Sequence, residues 1–558
     1  YTGGTATRFG TLTLSAAAGN AIGRTNNATT LVVGRNLGSI AYGSVLIADT
    51  GGRIVITTVP TGANAPSGGG SADGTTTASI FPYMIGQATT AAPTAADVGN
   101  SFVRHTAGRL RPLSTATGAD AEYVFNVAGY DLLAASTVSN LRFDATGTVA
   151  AAGGGSKTIN ALAIDSTAGA VTVTGPGSDT LVLAAGALLS TGAAANNTEL
   201  TGFAGITTAT NNEYVFFVTN NQFTLGSPLT TSAAALTKSG AGVLVLNGLT
   251  GNTYAGGTFF NQGLIEASAL GDLGSGNLNF FGGGLRWATG ATFDISARTV
   301  VLGTGGATFD TNGNNVAFAN ALGSGAGTLT KDGVGVLTLN AVSALTGGTN
   351  VNAGTLALGV SAAIGSGALS LTNNGTLALG AGTGAANQTV SQLSGASTSS
   401  TVGGDAAVSV LTVNQSTTTI YAGVIGGVGA NQNNLGLTKS GVGSLTLSGA
   451  TLSYAGPTVV NGGTLNLAGS PGAALATSAV TVARGATLNL VNTAGQAVNL
   501  GAGVLTLGAS GTGSTVLGLE LGSLTAYDRI SSTAAAMVSG EVLLNLTGLS
   551  GSGIGDYD

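Results

Sequence analysis

Cysteine is absent from this 558-residue chain, which excludes disulfides and thiolate metal sites. Charge is nearly as scarce: only 7% of the residues are Asp, Glu, Lys or Arg, against about a quarter in a typical soluble domain. Sixteen basic residues against twenty-two acidic ones leave no basic excess with which to hold a nucleic acid. The single histidine, His105, is the one residue on which a histidine-based triad, metal site or proton shuttle could be built. It sits beside Arg104 with no carboxylate close by in sequence, and is read as a surface histidine. No run of 18 apolar residues occurs, so no transmembrane helix is expected. Aromatic residues, at 5%, are too few for the girdles of a membrane barrel.

What the chain does hold is glycine, 95 residues of it, with 43% apolar side chains that are mostly small. That balance is too apolar and too weakly charged for a disordered chain. It suits a thin, regular structure better than one large core. The surface is left to Thr, Ser, Asn, Gly and Ala, which lack the usual charge protection against self-association.

Internal repeats organise the sequence. Three long units begin "LTKSGAGVLVLNG" at Leu236, "LTKDGVGVLTLNA" at Leu329 and "LTKSGVGSLTLSG" at Leu437. Each is followed by a second half, "YAGGTFFNQGLIEA" from Tyr254, "LTGGTNVNAGTLAL" from Leu345 and "YAGPTVVNGGTLNL" from Tyr454. The unit starts lie 93 and 108 residues apart, so the signature recurs inside a longer array and is not a strict tile. Apolar residues alternate within each unit (Val243 and Val245, Leu337 and Leu339, Leu445 and Leu447), which is the period of a strand. Gly, Thr, Asn and Ser interrupt every window of helical length. Short strands with small side chains and glycine at fixed offsets predict stacked coils, a β-solenoid, with glycine turning the corners.

The pattern "LTKxGxGxLxLxG…YxGGTxxxxGxLxL" resembles the autotransporter-associated β-strand repeat of bacterial passengers. The likeness is specific at 236–267, 329–358 and 437–467. The stretches "TINALAIDSTAGAVTVTG" and "DTLVLAAGALLSTGA" are similar to spacer coils of that family. The resemblance implies an all-β, right-handed parallel β-helix, export to the bacterial surface and no catalysis by the repeats. Repeat regions are expected at 236–287, 329–379 and 437–490 within a helix spanning 151–558. Tyr1–Leu14 carries only the second half of a unit, so the chain is expected to be the ordered or mature part of a longer polypeptide. No translocator barrel is recognisable before Asp558, and an autotransporter or a surface protein borrowing its repeat are both consistent with that.

Residues 1–150 form a decorated N-terminal β region with half of the sixteen basic residues, all Arg, and five of the nine prolines. They are read as solenoid coils with a Pro/Gly-rich insertion near 60–80. Arg104, Arg109 and Arg111 make the densest charge in the chain. They are the candidate self-association residues, with Glu122 or Asp131 of a neighbouring copy as possible partners and an intrachain pair as the alternative. Lys238, Lys331 and Lys439 share one repeat position; they are either a spaced row for anionic glycan or solvated corner charges that resist edge pairing. "FDTNGNNVAF" offers Asp310, Asn312 and Asn314 at alternate positions but lacks the glutamate that closes a calcium loop, and is read as an Asn-rich corner. The acidic residues Asp144, Asp165, Asp179, Glu199 and Glu213 are scattered singly. They suit neither a calcium site nor the carboxylate pair of a glycan-cleaving β-helix.

These readings predict no catalytic residue, cofactor or metal. The leading expectation is a non-enzymatic extracellular protein that self-assembles into a filament, fibre or layer, a homo-oligomer or polymer joined through coil ends or weakly charged flanks. The first alternative is a monomeric autotransporter-type adhesin binding surface glycans. The second is a β-helix polysaccharide lyase or hydrolase.

Overall fold

A computed structural model describes residues 155–549, apart from a few short stretches, and separate segments between 11 and 148. The chain divides into two compact units, Tyr1–Phe293 with Arg298–Thr308 and Asp294–Ala297 with Phe309–Asp558. Each is a parallel β-solenoid. Among the described residues, helical structure amounts to the single turn Leu270–Leu273, and no helix is long and apolar enough to cross a membrane.

In the first unit one sheet stacks Asn140–Phe143, Lys157–Ser166, Thr180–Gly192, Glu213–Val218, Ala235–Ser239, Thr258–Phe260, Leu278–Phe280 and Val300–Leu302, all parallel. A second runs from Val171–Thr174 through Thr198–Thr201, Gln222–Gly226, Val243–Val245 and Leu264–Ala267 to Gly284–Trp287. Leu236 pairs with Thr258 and Thr258 with Leu278, so one coil takes 22 residues and the next 20.

The second unit repeats this with longer leucine columns. Leu337 pairs with Leu356 and Leu356 with Leu377, while Leu339, Leu358 and Leu379 line up beside them, all buried. Leu445, Leu465 and Leu488 form another such column. Alternation is what selects this arrangement: Leu465 and Leu467 point inward while Thr464 and Asn466 lie on the other face. Each buried leucine contributes roughly 2 kcal/mol, and the main-chain ladders leave few polar groups unpaired between coils.

The N-terminal region decorates the first unit. Strands Thr11–Ser15, Ser44–Ala48 and Phe81–Gln87 run parallel, and Ser101–Thr106 and Arg109–Pro112 follow antiparallel, in a five-stranded sheet of their own. Its apolar residues Ile80, Phe81, Met84, Phe102 and Val103 share a buried cluster with Ala161, Ala163, Ala187, Leu189, Val215 and Phe217. Leu162, Leu188 and Phe216 alternate with the latter set and are also buried, so the solenoid sheet is covered on both faces here. Most of the Pro/Gly-rich insertion near 60–80 lies outside the described residues, as do Tyr1–Gly10 of the opening half-repeat.

Leu465 sits in mid-column, so Leu465→Ala is expected to cost about 2–5 kcal/mol, whereas Thr464→Ala one residue away should cost under about 1 kcal/mol. Denaturant titration of both variants measures the difference.

Candidate functional site: the lysine corner of the repeat

The repeat lysines are not on the surface. Lys238, Lys331 and Lys439 are each fully buried, and in all three copies the ammonium meets the same three kinds of partner. Lys238 Nζ donates to the carbonyl oxygens of Ser239 at 3.0 Å, Gly240 at 2.6 Å and Gln262 at 3.0 Å. Lys331 donates to Asp332, Gly333 and Ala353 at 2.8, 2.7 and 3.0 Å. Lys439 donates to Ser440, Gly441 and Gly462 at 2.7, 2.9 and 3.2 Å. Three donors thus find three acceptors, two in the lysine's own turn and one in the next coil. The lysine carbonyl in turn accepts the backbone N–H of Asn261, Asn352 or Asn461 from that next coil.

Glycine makes the cage. Gly240, Gly333 and Gly441 take φ of +80°, +69° and +75°, the left-handed conformation that aims the turn carbonyls inward at the ammonium. Above them sit Gly263, Gly354 and Gly463, where an added Cβ would lie 2.3, 2.5 and 2.2 Å from a carbonyl oxygen of the turn below. The "KxGxG" and "xG" elements of the motif are therefore the two halves of one corner. Both surface readings of these lysines are corrected: they are neither a row of exposed cations nor solvated corner charges. A lysine followed two residues later by glycine in every copy was the signal for this.

Burial lowers the ammonium pKa. Lys238 is held well below the usual lysine value. Lys331 is brought down to about 8 by burial, with Asp310 and Asp332 opposing the shift, and Lys439 is also brought down to about 8. Desolvation outweighs the carbonyl dipoles, which favour the charged form.

A second polar contact belongs to the same motif. Tyr254 Oη lies 3.0 Å from Thr258 Oγ1, and Tyr454 Oη lies 2.8 Å from Thr458 Oγ1, all buried. Burial pushes Tyr454 up to about 12 and raises Tyr254 as well.

The other candidate residues serve the fold. Arg104 is 1% exposed and its Nη1 lies 3.2 Å from Glu122 Oε1, also 1% exposed. This intramolecular pair removes Arg104 from any surface shared with another copy, because a buried guanidinium must be matched where it lies. Arg109 pairs with Thr106 and Arg111 with Arg104 along the hairpin backbone; their side chains and that of His105 lie outside the described residues, as does Asp131. Asp310 accepts the N–H of Asn312, which has φ of +48°, and Asn314 donates to the Thr311 carbonyl. These bonds shape a corner. Asp165 pairs with Arg142, and Glu213 accepts the Thr237 hydroxyl. Among the described residues no three His, Asp or Glu side chains gather where they could hold a metal ion.

Replacing Lys439 by Met strands three carbonyls and should cost about 1–3 kcal/mol. Between pH 8 and 10.5 the unfolded chain holds more lysine protons than the folded one, so stability should rise with pH through that window. Above about pH 10 the unfolded chain ionises its tyrosines first, and stability should fall. Unfolding temperature against pH should therefore pass through a maximum near pH 10, and changing all three lysines to Met should flatten its rising limb.

The passenger-associated-transport-repeat matches the chain at 236–267, 329–358 and 437–467, the three lysine corners with their following halves. The chain is also 34% identical over 171 residues to the Adhesin BmaC autotransporter of Brucella suis biovar 1 (strain 1330), covering 30% of this chain and 5% of that protein. It thus spans about a twentieth of the length of that relative. No solved structure matches it. The three lysine corners of this parallel solenoid therefore match the passenger-associated-transport-repeat, and the chain is similar to an autotransporter passenger.

Proposed function

We propose that the chain is an exported, non-enzymatic segment of a bacterial surface protein, a β-solenoid stalk that holds an adhesive passenger away from the cell. The observation that carries this reading is where the repeat spends its polar chemistry. Lysine and threonine of the motif bond from one coil to the next, tyrosine where present backs the threonine, and the described carboxylates of the Arg–Glu and Arg–Asp pairs tie segments of the same chain together. Each unit is thereby a stiff stack of coils, and among the described residues no cluster of three His, Asp or Glu side chains gathers. Likeness to a protein named as an adhesin supports adhesion as the setting.

One feature favours self-association as a second reading. Only 7% of the residues are charged, and a surface so weakly charged has little protection against a second copy.

Antibody raised against this chain should label intact bacteria, and external protease should remove the label; label seen only after lysis would overturn surface display. Beads coated with the chain should adhere to host cells or matrix without releasing new reducing ends from polysaccharides. Sedimentation across a concentration series separates the second reading, since a chain that stays monomeric throughout does not assemble.

A further inference from the structure

The middle copy of the repeat departs from the other two at one buried contact. In the first copy Thr258 Oγ1 meets Tyr254 Oη at 3.0 Å and donates to the Leu273 carbonyl at 2.9 Å. In the third, Thr458 Oγ1 meets Tyr454 Oη at 2.8 Å and Thr477 Oγ1 at 3.3 Å. In the middle copy Leu345 replaces the tyrosine, and both Leu345 and Thr349 are buried, at 1% and 2% exposure. Leucine has no polar atom. Thr349 Oγ1 is left buried with no hydrogen-bond partner among the described residues.

The rest of that corner is intact. Lys331 keeps its three carbonyls, Asn352 donates to the Lys331 carbonyl, and Leu329, Thr330 and Lys331 pair in register with Thr349, Asn350 and Val351. The defect is therefore confined to one hydroxyl and the phenol that would have met it. In a solenoid each coil contacts only its neighbours, so such a defect is not averaged over the structure and weakens the coil in which it lies.

We infer that the coil from Leu329 to Thr349 is a built-in weak coil of the second unit, which opens locally while the coil from Leu437 to Thr458 stays closed. Because the lysine corner survives on it, the coil has a marked register to close back onto. The chain thereby gains one place to yield without unravelling its leucine columns.

Hydrogen exchange followed by mass spectrometry on the full chain tests this. Amides of Leu329–Asp332 and Thr349–Val351 should exchange faster than those of Leu437–Ser440 and Thr458–Val460. Thr349→Val keeps the shape of the side chain and deletes the orphaned hydroxyl, and should slow exchange at the middle copy by about tenfold. Thr458→Val, which breaks a satisfied pair, should speed exchange at the third copy. Leu345→Tyr offers the missing partner and should also slow exchange. Equal rates in the two wild-type coils would overturn the inference. So would faster exchange in Thr349→Val, since that hydroxyl would then have a partner that stabilises it.

Discussion

A buried ammonium whose hydrogen bonds all go to carbonyls finds its solvation in the main chain, and the repeat is arranged around that requirement. Three carbonyls have to converge on one nitrogen. Two can come from a turn only if that turn enters the left-handed region, which Gly240, Gly333 and Gly441 do. The third has to come from the coil above, and it reaches the nitrogen only if nothing projects from the residue after it; Gly263, Gly354 and Gly463 meet that condition. The lysine thus couples the shape of one turn to the position of the next. Period-two alternation alone would let a strand slip by two residues without exposing its leucines, and a lysine that must meet a carbonyl of a particular residue penalises that slip.

Around these corners the remaining physics is uniform. Leucine columns fill the interior, parallel ladders satisfy the backbone, and small side chains let the sheets lie close. The first unit adds a variation. Where Ala161, Ala163 and Ala187 face outward, a second sheet packs on the solenoid, and the ion pair of Arg104 and Glu122 is buried in the covering layer. Charge in this protein is scarce, and several of its charged side chains sit inside.

Much of the fold was legible in the sequence. Alternation at Leu337 and Leu339 or Leu465 and Leu467 placed the strands, and glycine at constant offsets placed the turns. The burial of the lysines is not legible in hydropathy, which weighs the ammonium and ignores carbonyls that a glycine turn can aim at it. For Arg104 the sequence offers Glu122 as a partner but leaves open whether the pair forms within one copy or between two, since the 18 residues separating them do not say how the chain folds back. The covering sheet was hidden in "TINALAIDS", where alanine at alternate positions looks like ordinary spacer sequence until something is found packed against it. The orphaned Thr349 could have been suspected from the motif itself, since Leu345 is the one departure from tyrosine among its three internal copies.

The reach of each lysine into the following coil also bears on how such arrays grow. A single coil copied by recombination would carry an ammonium without its third carbonyl, or a glycine with no cation beneath it. The smallest segment that duplicates without damage is a stacked pair, and unrelated coils can be spliced only between pairs. The three signatures accordingly recur as whole pairs of halves, 93 and 108 residues apart.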